Sequence, residues 1–347
     1  MKRIINVLLA LVLIIVSAIS LVACDGQNGD GAKTGLLLKK YTGEDFYTVY
    51  GYVDEGKGVT SLDIASIAGE KTVGRIAKTA FNGNDTLKEI IVPNTVTEIE
   101  ANAFSKMKSL EKITLPFVGK TANADSFMHQ TGEATDKSVD KERIFAFIFG
   151  EEDYAYGEKI TAKYGTGEAT YYLPSTLTEV TIAPAGEYNI PMYAFCGTAQ
   201  ICKVNLVGNI TEIGEHAFEN CRDLNSVNIP ATVKTIYAYA FNNCEFLNTG
   251  LKFDDNSTLT TLKDYAFANS KVVNFVLPAS VETIGDYCFA NSNIVTFKFP
   301  ASLKAIGNYA FYNNKYLTTM DVSTLVLPPQ DVEVGVSAFE KCDNIQG

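Results

Sequence analysis

The sequence predicts a repeat solenoid built on a parallel β-sheet, and three observations point to it. One aromatic slot recurs along most of the chain: Phe81, Phe104, Phe127, Phe195, Phe218, Phe241, Phe267, Phe289, Phe311 and Phe339 follow one another at 23, 23, 68, 23, 23, 26, 22, 22 and 28 residues. Each follows Ala, except Phe127 after Ser126 and Phe289 after Cys288. The composition is 46% hydrophobic and 20% charged, which is globular, and it holds 20 Phe and 18 Tyr but no Trp, as expected when the same position is filled repeatedly. Self-similarity at such a period is the mark of a stacked array. The single interval of 68 accommodates one 23-residue repeat and 45 inserted residues.

Within each unit further columns recur. An aliphatic about five places before the Phe is often followed by Gly, as in Ile213-Gly214, Ile284-Gly285 and Ile306-Gly307. Downstream, Leu224, Val227, Ile229 and Pro230 in one unit match Leu110, Ile113, Leu115 and Pro116 in another. Val227 and Ile229 stand two apart and so face one side of a short strand, and equivalent strands of successive coils would pair in parallel about 4.8 Å apart. Pro230 lacks an N–H and closes the strand. Val233 and Ile236 lead into the next Phe, Ala217 lets neighbouring coils approach, and Phe218 fills the interior. Single units cannot bury these columns alone, whereas a stack can.

On these residues the units resemble the BspA-type leucine-rich repeat of bacterial surface proteins. The stretch Ile213-Gly214, Ala217-Phe218, Cys221, Leu224, Val227, Ile229-Pro230, Val233 and Ile236 carries the whole pattern. The resemblance covers roughly residues 60–347, about ten units of 22–28 residues. It implies an α/β-type leucine-rich repeat solenoid with a parallel sheet on the concave face, and a protein that binds or adheres rather than an enzyme.

The flanks read differently. Lys2 and Arg3 precede an apolar run from Ile4 to Leu21, the layout of a secretory signal. That run is nearly long enough to span a membrane, but Leu21-Val22-Ala23-Cys24 resembles the bacterial lipobox, which implies cleavage before Cys24 and lipid attachment to its sulfur. Residues 1–23 are thus expected to be a lipoprotein signal peptide and residues 24–35, Gly-rich and polar, a flexible tether on the outer side of a bacterial membrane. Residues 36–59 read as an N-terminal β-hairpin cap, with Thr42–Asp45 as its turn. The solenoid runs from 60 to 347 with the insertion at about 128–172, and the last unit stops without a following strand, an edge at which self-association is one expectation.

The candidates for chemistry divide by column. Net charge of −11 without a basic cluster argues against nucleic acid. No cofactor loop, EF-hand or His-based metal set is present; the Asp254–Thr258 stretch lacks the Gly and distal Glu that calcium needs. Cys221 shares its column with Asn84, Met107, Thr198, Cys244, Ser270, Ser292, Asn314 and Cys342, a periodic slot and not a nucleophile with its own base. Tyr193, His216, Tyr239, Tyr265, Tyr287 and Tyr309 occupy the column two before the Phe, expected to form an aromatic ladder that either shields the core edge or offers a binding stripe. Outward strand positions, among them Lys203, Asn205, Ser226 and Asn228, form a small, polar, mixed-charge face suited to weak multivalent contact with an extracellular protein or glycan. Catalysis would have to rest on the insertion, whose Glu151, Glu152 and Asp153 read as a solvated run.

Overall fold

The computed structural model describes residues 22–23, 34–54, 56, 58–122, 141–165, 167–248, 250–273, 276–323, 325 and 331–345. They form a parallel β-solenoid of about 11 turns. One coil shows the plan. The strand Lys203–Leu206 is followed by a second strand, Ile210–Ile213, and then by a tight corner that carries Phe218 inward. The chain returns through Leu224 to the next strand, Ser226–Ile229.

Stacking the coils produces two ladders. The first is a seven-stranded parallel sheet in which Ser61–Asp63, Glu89–Ile91, Lys112–Leu115, Glu179–Ile182, Lys203–Leu206, Ser226–Ile229 and Leu251–Phe253 lie side by side. Val180 sits opposite both Ile113 and Val204, so the sheet passes the insertion without a gap. Strand side chains alternate: Val180, Val204 and Val227 are buried, whereas Glu179, Lys203 and Ser226 are half-exposed, as period-two geometry requires. Thr296–Lys298 and Thr319–Asp321 pair as a separate two-stranded piece further along.

The repeat solenoid with its parallel sheet is as the sequence implies, and a second ladder accompanies that sheet. Among the described residues the only α-helix is Ile64–Ala68, capped by Asp63 through the N–H groups of Ala65 and Ser66. Its place elsewhere is taken by a second parallel sheet of very short strands: Tyr188–Ile190, Ile210–Ile213, Thr235–Ile236, Thr261–Leu262, Thr283–Ile284, Ala305–Ile306 and Glu333–Val334. A coil of 22 or 23 residues that spends two strands and two corners has too few residues left for a stable helix. Of the aliphatic pair read from sequence as a lead-in, such as Val233 and Ile236, both are buried and Ile236 lies in this ladder.

Each corner turns on two residues in left-handed conformation that bracket the Phe. Two before it stand Tyr193, His216, Tyr239, Tyr265, Tyr287 and Tyr309, with φ between 54° and 59°. Two after it stand Asn220, Asn243, Asn269, Asn291 and Asn313, with φ from 58° to 62°. Asn tolerates this region; Tyr does so only at a cost. Between them the Phe N–H reaches the Ala carbonyl of the next coil, as Phe218 N to Ala240 O at 2.7 Å and Phe241 N to Ala266 O at 2.7 Å.

At the start of the chain Thr34–Lys39 and Tyr47–Asp54 form an antiparallel hairpin, and the latter strand continues in parallel to Val73–Ile76 and Glu98–Ile99. The hairpin thereby heads a separate five-stranded sheet and buries Leu36, Leu38 and Val49. Within the insertion, the short 3-10 turn Phe145–Ile148 and the hairpin Gly157–Tyr164 with Gly167–Pro174 are ordered against the solenoid. Phe127 lies outside the described residues. The aromatic column between Phe104 and Phe195 is continued by Phe149, 6.3 Å from Phe104, and Phe145, 4.9 Å from Phe195. Their backbone bonds do the same work, with Phe104 N reaching Ile148 O and Phe145 N reaching Ala194 O.

Candidate binding surface

The residues two before each Phe form a continuous stack. Ring centroids are 4.7 Å apart for Tyr193 and His216, 4.8 Å for His216 and Tyr239, and 4.7 Å for Tyr239 and Tyr265. The spacing is 4.8 Å for Tyr265 and Tyr287 and 4.9 Å for Tyr287 and Tyr309, with planes within 13° throughout. Left-handed backbone aims each ring along the corner, and the coil repeat sets the distance. Because the rings cover one another's faces, what the ladder presents outward is a row of edges and phenol tips. Tyr193 is buried and its phenol is pushed up to about 12 by burial and by the carboxylates of Glu215 and Glu219.

His216 is the one imidazole in the row. Its Nδ1 lies 2.8 Å from Glu219 Oε2 and its Nε2 3.6 Å from Glu215 Oε1. Burial alone would raise the Glu219 carboxyl, but the bond to His216 and the amide of Asn242, 3.0 Å away, outweigh it and hold it below the usual carboxylate range. The imidazole is thus seated by two carboxylates and two rings, an arrangement that positions it and gives it no nucleophile to activate.

Two polar ladders flank the rings, and sequence reasoning missed both. Asp264 Oδ1 accepts the Asp286 N–H at 2.9 Å, Asp286 Oδ1 accepts the Asn308 N–H at 2.7 Å, and Asn308 Oδ1 accepts the Val336 N–H at 2.7 Å. On the other side Asn313, Asn291 and Asn269 each donate to the carboxamide of the preceding coil, at 2.7, 3.1 and 3.0 Å, the last reaching Asn242. The repeated Asn and Asp at fixed offsets from the Phe were the available signal.

Beside the carboxyl ladder, along the second sheet, run two shallow troughs of about 420 and 470 Å³ that meet at Asp264. Thr235, Thr261 and Asp264 are among the residues lining the first, and Asp264, Thr283, Gly285, Asp286, Gly307 and Asn308 among those lining the second. Those glycines are fixed by close approach and not by turn conformation. A Cβ on Gly307 would stand 2.5 Å from the Asp286 nitrogen, and one on Gly285 2.6 Å from the Asp264 nitrogen.

The outward residues of the first ladder are tied to one another. Lys203 Nζ lies 2.9 Å from Glu179 Oε1, the Asn205 amide bonds the same carboxylate at 2.9 Å, and Lys112 approaches it at 3.5 Å. The Lys203 bond, with the others, holds the Glu179 carboxyl below its usual range. Asn228 donates to Asp254 at 2.6 Å, and Ser226 lies half-exposed beside it. A further cleft of about 650 Å³ opens where the insertion leaves the solenoid. There Glu151 pairs with Lys141 at 3.1 Å and Glu152 with Lys106 at 2.6 Å, while Asp153 is exposed. Cys24 lies outside the described residues. Cys196, Cys202, Cys221, Cys244, Cys288 and Cys342 are all free thiols.

The repeat pattern matches the family model described as the BspA type leucine rich repeat region, in six copies over residues 59–135, 167–251, 188–318 and 249–347. The chain belongs to the BspA-type leucine-rich repeat family. Among solved structures this BspA-type chain is similar to a leucine-rich repeat protein of T. pallidum, at 23% identity over 57% of this chain and 91% of that one, with a TM-score of 0.44. It is similar to one from Bacteroides ovatus at 17% identity over 89% and 79%, TM-score 0.39. A leucine rich cell surface protein of Faecalibacterium prausnitzii matches at 16% identity over 91% and 92%, TM-score 0.30. No curated protein matches the sequence significantly.

Proposed function

We propose that this BspA-type chain is a recognition protein on the outer face of a bacterial membrane, held there by lipid on Cys24, that binds an extended extracellular protein or glycan along its second ladder. The observation that carries this reading is the pair of troughs beside Thr235, Thr261, Thr283, Asp264, Asp286 and Asn308, where a hydroxyl and an Asp recur in the two successive coils of Thr261–Asp264 and Thr283–Asp286. A periodic surface suits a ligand that is itself long, because many weak contacts add through effective concentration.

The test is binding of the mature chain to matrix proteins and polysaccharides. Saturable binding that Thr283→Arg reduces at least tenfold is expected, and no saturable binding across a broad panel overturns the reading. Anchoring is tested separately by Cys24→Ser, which should abolish labelling by a radioactive fatty acid; persistent label excludes Cys24 as the attachment point. A second reading, an envelope scaffold that binds its own kind, draws on Val334 and Val336, apolar side chains 55% and 70% exposed beside the second ladder. Sedimentation that shifts with protein concentration favours it.

A further inference from the structure

We infer that Asn256 is a site of N-linked glycan attachment. Three Asn-x-Ser/Thr triplets occur in the chain, beginning at Asn84, Asn209 and Asn256, and such a triplet is the acceptor for glycosylation on a surface loop of an exported protein. The structure separates the three. The Asn84 carboxamide oxygen is engaged by the N–H groups of Thr86 and Leu87 at 3.1 and 2.8 Å, so its amide is locked into the turn. Asn209 is exposed, but the hydroxyl that completes its triplet belongs to Thr211, which is buried, sits in the strand Ile210–Ile213 and donates to Asn189 at 2.6 Å. An enzyme could read that hydroxyl only by pulling the strand out of its ladder.

Asn256 meets neither obstacle. It lies in the arch between the strands Leu251–Phe253 and Thr261–Leu262, in the coil that is 26 residues from Phe to Phe where the two that follow are 22. The surplus residues bulge outward: Asp254, Asp255, Asn256 and Thr258 are all exposed. Asn256 takes φ 59°, and among the described residues its carboxamide makes no hydrogen bond. The Thr258 hydroxyl is held only by an exposed bond to the Ala231 carbonyl, 2.8 Å away. Amide and hydroxyl are therefore both presented to solvent on a loop that can be drawn into another protein without unpairing either ladder. Asp254 and Asp255 set two carboxylates just ahead of the acceptor, a handle for a cationic groove.

The donor would be an oligosaccharide carried on a lipid pyrophosphate, used by a membrane-bound transferase. Asn256 Nδ2 attacks the anomeric carbon, a C–N bond forms as the C–O bond to pyrophosphate breaks, and the lipid pyrophosphate leaves with the electron pair. One amide proton passes to the transferase's base. The inference rests on the extracellular placement proposed above, because donor and transferase act at the membrane on exported chains.

The experiment is peptide mass spectrometry on the full chain recovered from the cells that make it, with protease digestion of intact cells run in parallel. A sugar mass on the Asn256 peptide and none on those of Asn84 and Asn209 is expected. It should vanish in Asn256→Asp, which keeps the left-handed turn, and in Thr258→Ala, and persist in Thr258→Ser, which keeps the hydroxyl. An unmodified Asn256 peptide overturns the inference in every case. If intact cells yield the chain to protease, the site alone has failed; if they protect it, the surface reading has failed with it.

Discussion

The Sγ of Cys244 lies 3.2 Å from the carbonyl oxygen of Phe218, one coil back. The same bond recurs down the column: Cys221 to Phe195 O at 3.1 Å, Ser292 to Phe267 O at 3.2 Å, Asn314 to Phe289 O at 2.7 Å and Cys342 to Phe311 O at 3.1 Å. Thiol, hydroxyl and carboxamide share one property here, a small hydrogen-bond donor aimed at a buried carbonyl. Cys244→Ala should therefore destabilise the solenoid by about 1–2 kcal/mol, at the low end for an unsatisfied acceptor because Cys221 N–H still bonds that carbonyl. Cys244→Ser should be close to neutral. Urea unfolding midpoints of the two variants decide it, and equal losses would remove the donor argument.

These thiols also fix how stability responds to alkali. Burial pushes Cys221 up to about 12, and it raises Cys196 to about 12 and Cys244 well above its ordinary value. In the unfolded chain a thiol gives up its proton near about 8.5. Between those values the folded state holds protons that the unfolded state has lost, so stability is fully present below about pH 8.5 and declines as pH rises toward 12. Thermal midpoints should fall steadily above pH 9. Half-exposed Cys202 should react first with a thiol reagent at pH 8, the buried five only on unfolding.

Gly307 tests how closely the coils approach. A Cβ there would lie 2.5 Å from both the Asp286 nitrogen and the Gly285 carbonyl carbon, and backbone cannot give way as a side chain would. Gly307→Ala should cost about 1–3 kcal/mol or more. Gly186, where a Cβ would meet nothing within 4 Å, is the control, and Gly186→Ala should change the melting temperature little.

How much of this was legible follows from period. The first ladder's alternation at Val204, Val227 and Ile229 shows in sequence because three or four residues suffice to display a period of two. The second ladder was hidden, since Thr235–Ile236 and Thr261–Leu262 are two residues long and display no period at all. The Phe column was exact wherever coils are regular. Phe127 lies outside the described residues, and beside Phe104 the column is filled by Phe149, which follows Ile148 and not Ala. The carboxyl ladder left a trace, Asp264, Asp286 and Asn308 each three before a Phe, but what those groups bond depends on which coil lies next to which, and Asp264 serves Asp286 across 22 residues.

The tyrosine ladder makes the sharpest prediction, because backbone and ring pull in opposite directions. Tyr265 stacks on Tyr239 and Tyr287 at 4.7 and 4.8 Å while holding φ at 57°. Each stacked pair contributes about 0.5–1.5 kcal/mol beyond its buried area, and the left-handed backbone of a non-glycine residue costs about 1–2 kcal/mol. Tyr265→Ala forfeits both stacks and keeps the backbone cost, so a loss of about 2–3 kcal/mol is expected. Tyr265→Gly forfeits the same stacks but removes the strain, and should be the milder change by about 1 kcal/mol. His216→Tyr, which restores the residue its column otherwise holds, should leave the melting temperature level or raised. Calorimetry of the three variants is decisive: in an ordinary corner Gly would be the worse substitution, so finding Tyr265→Gly less stable than Tyr265→Ala would show that the ring's geometry, not its backbone, sets the turn.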